Sequence, residues 1–374
     1  MNELKYKTIE KFKNARCGII ETAHGRVETP VFMPVGTLGT VKAIFPRDLM
    51  ELGVQIILGN TYHLMLRPGE DLISEMGGLQ NFMSWNKPIL TDSGGFQIWS
   101  LSKIRKVDKD GVTFRSHIDG KKIRLTPKKS IDVQRLLNSN ISMVLDEFTD
   151  YTASYSDTLD SVNLTENWAK ESLNAYKPKD GFGIFSIIQG GMYKDLRNLS
   201  LNKLIQYNFD GYAVGGLSVG ETHQEMLEIL EFLVPKLPEN KPRYLMGVGR
   251  PKDIFMAVKN GIDMFDCVLP TRFGRNGRAF TKKDGEINLR NKCYSNDPSF
   301  LDSELDCFVS KTFSKSYIHH LTKSNEILSS MIISLHNIAF YQKMMSDIRE
   351  SIRLNCFEKV EQEYLCAHGK YEKT

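Results

Sequence analysis

The chain has 374 residues, of which 41% are hydrophobic and 25% are charged, as in an ordinary globular protein. Its formal net charge of +4 is too small to indicate a nucleic-acid partner by itself. The six cysteines include no CxxC pair, so we expect a reduced, cytoplasmic protein without a disulfide framework. No apolar run reaches the roughly 18 residues of a membrane span, so we expect no membrane partner.

Eight short apolar segments alternate with longer amphipathic ones along the chain. They cover residues 29–36, 55–60, 88–92, 141–147, 182–189, 212–217, 244–249 and 264–270. Nearly continuous apolar runs are typical of parallel strands that are buried on both faces. Helices are predicted from Thr126-Pro127 onward and over about 158–176, 193–207, 221–235 and 251–260. The alternation predicts an α/β fold, a (β/α)8 TIM barrel. A doubly wound sheet stays open as the alternative, although no GxGxxG follows the first strand.

Two segments lie outside this alternation. Residues 93–140 contain inserted material with a predicted hairpin around Asp119-Gly120. Residues 271–374 form a C-terminal appendage that begins as a basic loop and includes a long amphipathic helix over about 325–353. We expect the appendage to pack on the barrel, so that residues 1–374 form a single catalytic domain.

Polar residues or glycines end most of the predicted strands. They are Asn60, Asp92, Asp146, Gln189, Gly215, Gly216, Gly247 and Asp266. In a barrel these ends meet at one rim, where active sites are built. Any one of them could instead cap a helix or begin a turn. The same placement in strand after strand favours a shared site.

Asp92 and Asp266 are two carboxylates expected on this rim. Such a pair favours acid/base or nucleophilic chemistry at a glycosidic carbon, where one carboxylate attacks or stabilises the anomeric carbon and the other moves a proton. Structural aspartates at strand ends are also common, so the pair alone leaves the reaction open.

Three glycine-containing segments line the same rim, at residues 91–97, 187–191 and 213–221. Adjacent glycines let a backbone approach a flat ligand and expose amide donors. Phe96 offers a stacking face, Asp146 an acceptor for two N–H groups, and Gln189 a donor to a carbonyl. The set favours a planar purine-like ligand, although glycines also serve tight turns.

A basic segment at residues 268–283 follows Asp266 directly. It contains Arg272, Arg275, Arg278, Lys282 and Lys283, with Phe273 and Phe280 between them. Clusters of this kind contact backbone phosphates. A solvated charged loop is the alternative, but the position beside Asp266 favours a nucleic acid passing over the site.

With these residues in view, the sequence closely resembles the bacterial tRNA-guanine transglycosylases. The matching segments are MPVGT (33–37), ILGNTYHLMLRPG (57–69), ILTDSGGFQ (89–97), VLDE (144–147), IQGG (188–191), YAVGGLSVGE (212–221), YLMGVGRPKDI (244–254), GIDMFDCVLPTRFGRNGRAFT (261–281) and YIHHL (317–321). They span nearly the whole chain in the family's order.

The resemblance implies an enzyme that exchanges the wobble guanine of tRNAs with GUN anticodons for 7-aminomethyl-7-deazaguanine, in queuosine synthesis. Asp266 resembles the nucleophile that attacks the ribose, and Asp92 the general acid/base. No cofactor is required for this chemistry. The implied partners are tRNA, a guanine or 7-deazaguanine base, and a second copy of the chain in a homodimer.

The resemblance also carries binding roles to matching positions. Those expected at the base are Ser93, Gly94, Gly95, Phe96, Asp146, Gln189, Gly215, Gly216, Leu217, Glu221 and Met246. Those expected at the RNA are Gly247, Val248, Gly249, Arg250, Pro251, Lys252, Asp253, Thr271, Arg272, Phe273, Gly274 and Arg275. Phe96 and Met246 would sandwich the base, and Leu217 with Glu221 would recognise its aminomethyl group.

One part of the family pattern is missing from the appendage. Relatives hold a structural zinc with a CxCxxC motif and a later histidine, and the matching positions here are Leu305, Cys307, Ser310 and His336. Only Cys307 and His336 remain as ligands, whereas a structural zinc normally needs four in a tetrahedral array. We therefore expect zinc to be absent or weakly bound.

Three other functions are considered. A non-catalytic RNA-binding subunit of the same superfamily would lack Asp92 and Asp266, and both are present. A barrel glycosidase or aldolase for small sugars would not need the purine-shaped set or the basic segment. Archaeosine-type exchange elsewhere in tRNA would call for an added RNA-binding domain, and the sequence offers none.

Overall fold

The structure is a computed structural model that describes residues 4–101 and 105–368. Its strands are β1 Lys5–Phe12, β2 Ala15–Thr22, β3 Gly25–Thr29, β4 Val31–Gly36, β5 Ile57–Gly59, β6 Ile89–Thr91, β7 Arg105–Asp108, β8 Gly111–Arg115, β9 Lys122–Leu125, β10 Ile141–Met143, β11 Gly183–Ile188, β12 Gly211–Val214, β13 Arg243–Leu245, β14 Met264–Cys267, β15 Arg278–Thr281 and β16 Gly285–Asn288. Its α-helices are α1 Pro46–Glu51, α2 Thr61–Leu66, α3 Glu70–Glu75, α4 Leu79–Phe82, α5 Gly95–Leu101, α6 Pro127–Leu136, α7 Tyr155–Ala175, α8 Lys194–Ile205, α9 His223–Leu233, α10 Pro251–Lys259, α11 Leu269–Arg275, α12 Phe308–Thr312, α13 Lys315–Lys323, α14 Ile327–Arg353 and α15 Phe357–His368. Short 3-10 helices cover Val234–Lys236 and Lys292–Tyr294.

Eight parallel strands close into a barrel in the order β4, β5, β6, β10, β11, β12, β13, β14, and β14 pairs with β4. The predicted TIM barrel is therefore confirmed, and each of the eight apolar segments supplies one strand. The strands are shorter than the apolar segments; residues 144–147, for example, leave the ladder after β10. Val144 and Leu145 stay in the core, and Asp146 lies beyond the end of the strand, next to Ser93 and Gln189.

The apolar runs follow from burial on both faces of the barrel wall. Every residue of β11 is buried, and so is every residue of β4. Helix α6 begins where Thr126 and Pro127 predict, since the Thr126 side chain accepts the Lys129 N–H at 3.1 Å. The local cap and the tertiary burial thus specify the same element.

An antiparallel sheet of β1, β2 and β3 precedes the barrel and was not predicted. It lies at the end opposite the rim, where Arg16 and Asp263 form a buried ion pair at 2.5 Å and Ala23 N–H bonds to the Gly181 carbonyl at 2.9 Å. Four of the eight residues of its first strand are charged and exposed, and this is why the apolar pattern does not reveal that strand.

The insert between β6 and β10 forms a three-stranded antiparallel sheet of β7, β8 and β9. The hairpin predicted around Asp119-Gly120 is confirmed as β8 and β9, with Arg115 opposite Lys122. The partner strand β7 was missed, because its four residues are exposed or half-buried.

The appendage differs from the sequence prediction at its start. Residues expected in a basic loop form helix α11, which begins with Pro270 in its first turn and packs on α14. Gly274 allows this contact, since a Cβ there would lie 2.5 Å from the Ser334 Oγ. Beyond α11, helix α14 also contacts β4 and so lies against the barrel. The assignment of the whole chain to a single domain stays a prediction.

Among the described residues, no helix is both long enough and apolar enough to cross a membrane.

Candidate active site

Asp266 sits near the carboxyl end of β14, opposite Met33 of β4. Its Oδ1 accepts a hydrogen bond from the Tyr244 hydroxyl at 2.5 Å and another from the Gly247 N–H at 2.8 Å. Both donors act on one oxygen, so Oδ2 is left for a ligand. Burial raises the pKa of Asp266, while the Tyr244 and Gly247 bonds oppose that rise. The carboxylate is thus fixed in orientation and weakly solvated.

Asp92 follows β6 on the same rim. Its Oδ1 accepts the Thr61 N–H at 2.8 Å, and its Oδ2 accepts the Asn60 side-chain amide at 2.5 Å. Burial raises its pKa to about 7, the Thr61 N–H opposes the rise, and the negative charge of Asp266 adds to it. A carboxyl with such a pKa can both give and take a proton near neutral pH.

Asp146 and Gln189 meet at the rim, as the sequence predicts for two neighbouring strand ends. Gln189 Nε2 donates to Asp146 Oδ2 at 2.8 Å, and the Ser93 hydroxyl donates to Asp146 Oδ1 at 3.2 Å. Burial raises the pKa of Asp146, and these two donors oppose the rise. The three side chains form one polar edge beside Asp92.

Phe96 presents an exposed ring at this edge, with 46% of its surface accessible. Trp99 and Phe148 brace it, with ring centroids 5.6 and 5.2 Å from that of Phe96. The backbone before it passes close to the polar edge, since a Cβ on Gly95 would lie 2.8 Å from the Asp146 carbonyl oxygen. Gly94 adopts a positive φ of 87° in this turn. Phe96 is therefore a preformed flat face.

The loop after β12 holds Gly215, Gly216 and the buried Leu217. Gly216 adopts a φ of 63°, and a Cβ there would lie 2.7 Å from the Gln189 Oε1. Glu221 closes the loop, since its carboxylate accepts the N–H groups of Ser218 and Val219. The loop thus adds backbone groups to the polar edge. The remaining base-site candidate, Met246, is half-buried directly after β13.

The residues expected at the RNA fall into two classes. Arg250, Arg272 and Gly247 are exposed, and Lys252, Asp253, Phe273 and Arg275 are half-buried. Val248, Gly249, Pro251, Thr271 and Gly274 are buried. The buried members support this surface from within, and only the exposed and half-buried members are accessible to a ligand outside it.

Comparisons with known proteins assign the chain to a family. The family described as queuine tRNA-ribosyltransferase matches residues 11–370. The chain belongs to this family. A queuine tRNA-ribosyltransferase of Rickettsia typhi is 51% identical over 354 residues, which cover 95% of this chain and 98% of the relative. One of Acinetobacter baylyi is 49% identical over 368 residues, covering 98% and 95%.

Membership of the queuine tRNA-ribosyltransferase family gives the reaction class. The chain is a tRNA-guanine ribosyltransferase, an enzyme that acts on tRNA and a base substrate in queuosine synthesis. It carries the barrel of that family.

The positions matching the family's zinc ligands are filled differently here. Leu305 and Cys307 are buried, and the Ser310 hydroxyl lies 2.8 Å from His336 Nδ1. His336 Nε2 lies 2.7 Å from the Phe280 carbonyl oxygen, so this nitrogen carries the proton and Nδ1 accepts from Ser310. Burial lowers the pKa of His336 to about 4. Both ring nitrogens are used, and no group of three candidate ligands occurs among the described residues. These residues do not fit a tetrahedral zinc.

Two contributors to the site, Thr61 and Tyr244, escaped the sequence analysis, whereas Asn60 was expected on the rim without a stated role. Thr61 and Asn60 orient Asp92, and Tyr244 orients Asp266. A usable signal was present for Tyr244: it is a polar side chain within an apolar barrel strand, and such a group needs a partner. Thr61 acts through its backbone N–H, which no side-chain pattern reveals.

Proposed function

We propose that this ribosyltransferase exchanges the wobble guanine of tRNAs with GUN anticodons for 7-aminomethyl-7-deazaguanine through a ribosyl-Asp266 intermediate. One observation carries the proposal. The rim pairs a carboxylate held through a single oxygen, Asp266, with a second carboxyl, Asp92, whose pKa is about 7. This is the pairing that a double displacement at a ribose carbon needs.

In the first half-reaction, Asp266 Oδ2 attacks C1′ of the ribose. The C1′–N9 bond breaks, its electron pair goes to the guanine, and Asp92 in its protonated form supplies the proton that makes the leaving base neutral. Tyr244 and the Gly247 N–H hold the nucleophile through Oδ1. The product is an ester between Asp266 and the ribose of the tRNA.

In the second half-reaction, the incoming base loses its N9 proton to Asp92, which the first half left ionised. N9 then attacks C1′, and the ester to Asp266 breaks. One N-glycosidic bond replaces another, so the balance needs neither an oxidant nor a nucleotide triphosphate. The first base leaves before the second reacts, and the kinetics are therefore ping-pong.

The polar edge of Asp146 and Gln189 suits guanine. A guanine edge offers N1–H and the 2-amino group as donors and O6 as an acceptor. Asp146 accepts the first two, and Gln189 Nε2 donates to O6, so the base replaces the present Gln189–Asp146 bond of 2.8 Å. Phe96 covers one face of the base and Met246 the other. A base gripped in this way must be flipped out of its stack.

The loop at Glu221 supports recognition of the aminomethyl group. In a trans peptide the carbonyl and the following N–H point in opposite directions. Because Glu221 binds the N–H of Ser218, the Leu217 carbonyl faces away from Glu221. An ammonium on the incoming base can then donate to that carbonyl.

The surface beside the rim is proposed to bind the tRNA backbone. The exposed cations are Arg250, which follows β13, and Arg272, which follows β14. Both come after the carboxyl ends of their strands, the end of the barrel that holds Asp266. Guanidinium groups pair readily with phosphates, and such contacts position a nucleic acid without reading its sequence.

The appendage is proposed to form a homodimer interface. Phe308 is 71% exposed and Ile327 is 76% exposed. Phe308 and Phe45 line an apolar groove together with Phe313 and Leu328, the residue that follows Ile327. Exposed apolar surface of this kind marks interaction sites.

We further propose that the appendage holds no zinc. The hydrogen bonds from Ser310 to His336 and from His336 to the Phe280 carbonyl replace two metal bonds, and Leu305 packs where a thiolate would stand. Zinc measured at one atom per chain in untagged protein would contradict this.

The function is tested by incubating the enzyme with labelled guanine and two tRNAs that differ only at the wobble position. We expect incorporation into the tRNA with a GUN anticodon and none when the wobble guanine is replaced by adenine. Subsequent addition of 7-aminomethyl-7-deazaguanine is expected to release the label. Equal incorporation into both tRNAs would contradict the proposed substrate.

A further inference from the structure

Helix α8 carries an arginine whose side chain is fully buried, at 0% exposure. Arg197 donates hydrogen bonds to four backbone carbonyls, one at the end of β11 and three in the loops after β11 and β12. The acceptors are Ile188 at 2.8 Å, Gly191 at 2.9 Å, Gly215 at 2.7 Å and Gly216 at 3.3 Å. Its pKa is lowered to about 10 by burial, so the group stays protonated at neutral pH.

No carboxylate among residues 4–101 and 105–368 forms a salt bridge with Arg197. A buried cation without a salt bridge is costly, and the four carbonyls together with the nearby negative charge of Glu221 offset that cost. An apolar side chain at this position of helix α8 would avoid the desolvation cost of a buried cation. Arg197 therefore indicates a role in shaping the two loops whose carbonyls it binds.

Peptide geometry indicates how Arg197 orients the loop after β12. A carbonyl and the N–H of the next residue point in opposite directions across a planar trans peptide. Arg197 holds the carbonyls of Gly215 and Gly216, so the N–H groups of Gly216 and Leu217 face away from it. Within the described part of the chain, neither N–H has a hydrogen-bond acceptor. Gly216 adjoins the Gln189 amide, which places these donors at the polar edge.

The same helix also fixes Gln189. The Gln189 N–H donates to the hydroxyl of Ser200, at 3.2 Å, and Ser200 lies one helical turn after Arg197. Helix α8 thus controls the backbone of Gln189 and the orientation of the two glycine peptides.

We propose that Arg197 is a positioning residue of the base site, which sets the backbone N–H groups of Gly216 and Leu217 as donors to the 6-oxo group of the base. The inference rests on the proposed function, since it assumes that a guanine edge meets Gln189. Arg197 itself touches neither substrate nor reacting atoms. Its effect is on the choice of base and on base affinity.

The test compares guanine with 2-aminopurine, a base that lacks both the 6-oxo group and the N1–H that accompanies it. Arg197 acts on the loop carbonyls rather than on Asp146, the acceptor proposed for N1–H, so a change in the preference between variants reports on the 6-oxo contact. Dissociation constants of both bases are measured by calorimetry on wild type, Arg197→Lys and Arg197→Gln. A lysine ammonium cannot span four carbonyls in two loops. We expect each variant to lose roughly tenfold or more of the wild-type preference for guanine, with 2-aminopurine affinity within about threefold of wild type.

Arg243→Lys is the matched control. Arg243 is also buried, donates to the carbonyls of Leu237 and Gly261, and has a pKa lowered to about 10 by burial, but it starts β13 at the opposite end of the barrel. We expect a comparable drop in Tm and an unchanged preference for guanine. Equal loss of preference in Arg243→Lys would make the effect general and overturn the proposal.

The remaining outcomes distinguish a failure of the proposed function from a failure of the role proposed for Arg197. A wild-type enzyme without preference for guanine would contradict the proposed function, whereas a preference retained in both Arg197 variants would overturn only the role of Arg197. Should neither Arg197 variant fold, Ser200→Ala decides: we expect a loss of preference of about threefold, and none would overturn the role assigned to helix α8.

Discussion

The barrel rim and the appendage retain the family pattern to different degrees. At the rim, Asp92 and Asp266 are present and each is held by two hydrogen-bond donors. In the appendage, the metal-ligand positions hold a Ser310–His336 hydrogen bond and a buried Leu305. A nucleophile has no substitute in this chemistry, whereas a structural centre can be rebuilt from packing and hydrogen bonds. We therefore expect substitutions at the rim to lower activity without lowering stability. Substitutions in the appendage should lower stability without lowering activity.

The largest expected effect in this series is on the proton transfers. Asp92→Asn removes the acid/base group while keeping the shape, and we expect guanine exchange to fall by roughly 10²- to 10⁴-fold. Initial rates with labelled guanine and a GUN-anticodon tRNA measure it. Exchange within threefold of wild type would remove Asp92 from the mechanism.

A stability measurement checks that this loss does not reflect unfolding. The pKa of Asp92 is raised to about 7 in the folded protein, so the folded state binds the proton more tightly than the unfolded chain. The carboxyl therefore lowers stability as pH rises from about 4 to about 7. Asp92→Asn is expected to stabilise the protein by on the order of 2 kcal/mol at pH 8 and little at pH 4. A lower Tm at pH 8 would contradict this assignment.

The pH dependence of the two half-reactions is the next effect. Below about 7 Asp92 is protonated and can supply a proton to the leaving guanine; above it, Asp92 can accept one from the incoming base. Guanine release in single turnover is expected to slow about tenfold per pH unit above that value, and base addition to the preformed adduct below it. Burial also raises the pKa of Glu147 to about 7, so Glu147→Gln is the control and should leave both profiles unchanged. Profiles that shift in Glu147→Gln would reassign the group.

Removal of one hydrogen bond in the appendage is expected to act on stability alone. Ser310→Ala leaves the buried His336 Nδ1 without its donor, at a cost of about 1–2 kcal/mol in the free energy of unfolding. Urea unfolding measures this, with Ser303→Ala as an exposed-serine control. Exchange activity should stay within about twofold, and a tenfold loss would show that the two regions are coupled.

The smallest expected effect is that of a chelator. If the appendage holds no zinc, as proposed, treatment with EDTA should shift the Tm of the wild-type protein by less than about 1 °C, because there is no metal for the chelator to remove. Leu305→Cys combined with Ser310→Cys would restore the missing thiolates and serves as the positive control, with zinc bound and a Tm that the chelator lowers. A wild-type Tm that falls by several degrees would contradict the zinc-free appendage.

The sequence predicts the barrel well because a parallel strand buried on both faces has a simple signature. The β4 and β11 segments are apolar throughout and were found, and helix α6 was found through Thr126 and Pro127. Strands β1 and β7 were missed, since exposed edge strands carry charges and little apolar periodicity. The helix α11 was taken for a loop, because its burial comes from α14, more than fifty residues later in the chain.

The candidate site also has a part that the sequence predicts and a part that it does not. Side chains with distinctive chemistry, such as Asp266, Asp146 and Gln189, are visible in the sequence, although their roles remain proposals. What the sequence could not supply is orientation: the Thr61 N–H on Asp92 and the hydroxyl of Tyr244 on Asp266 depend on which strands the barrel brings together.

The central claim is that Asp266 forms the bond to the ribose while Asp92 moves the proton. Its most direct measurement is the denaturation-resistant adduct between the protein and a GUN-anticodon tRNA, resolved on a denaturing gel. We expect the adduct in the wild-type enzyme, an adduct that forms more slowly in Asp92→Ala because the leaving guanine lacks its proton donor, and none in Asp266→Ala. An adduct that persists in Asp266→Ala would contradict the account.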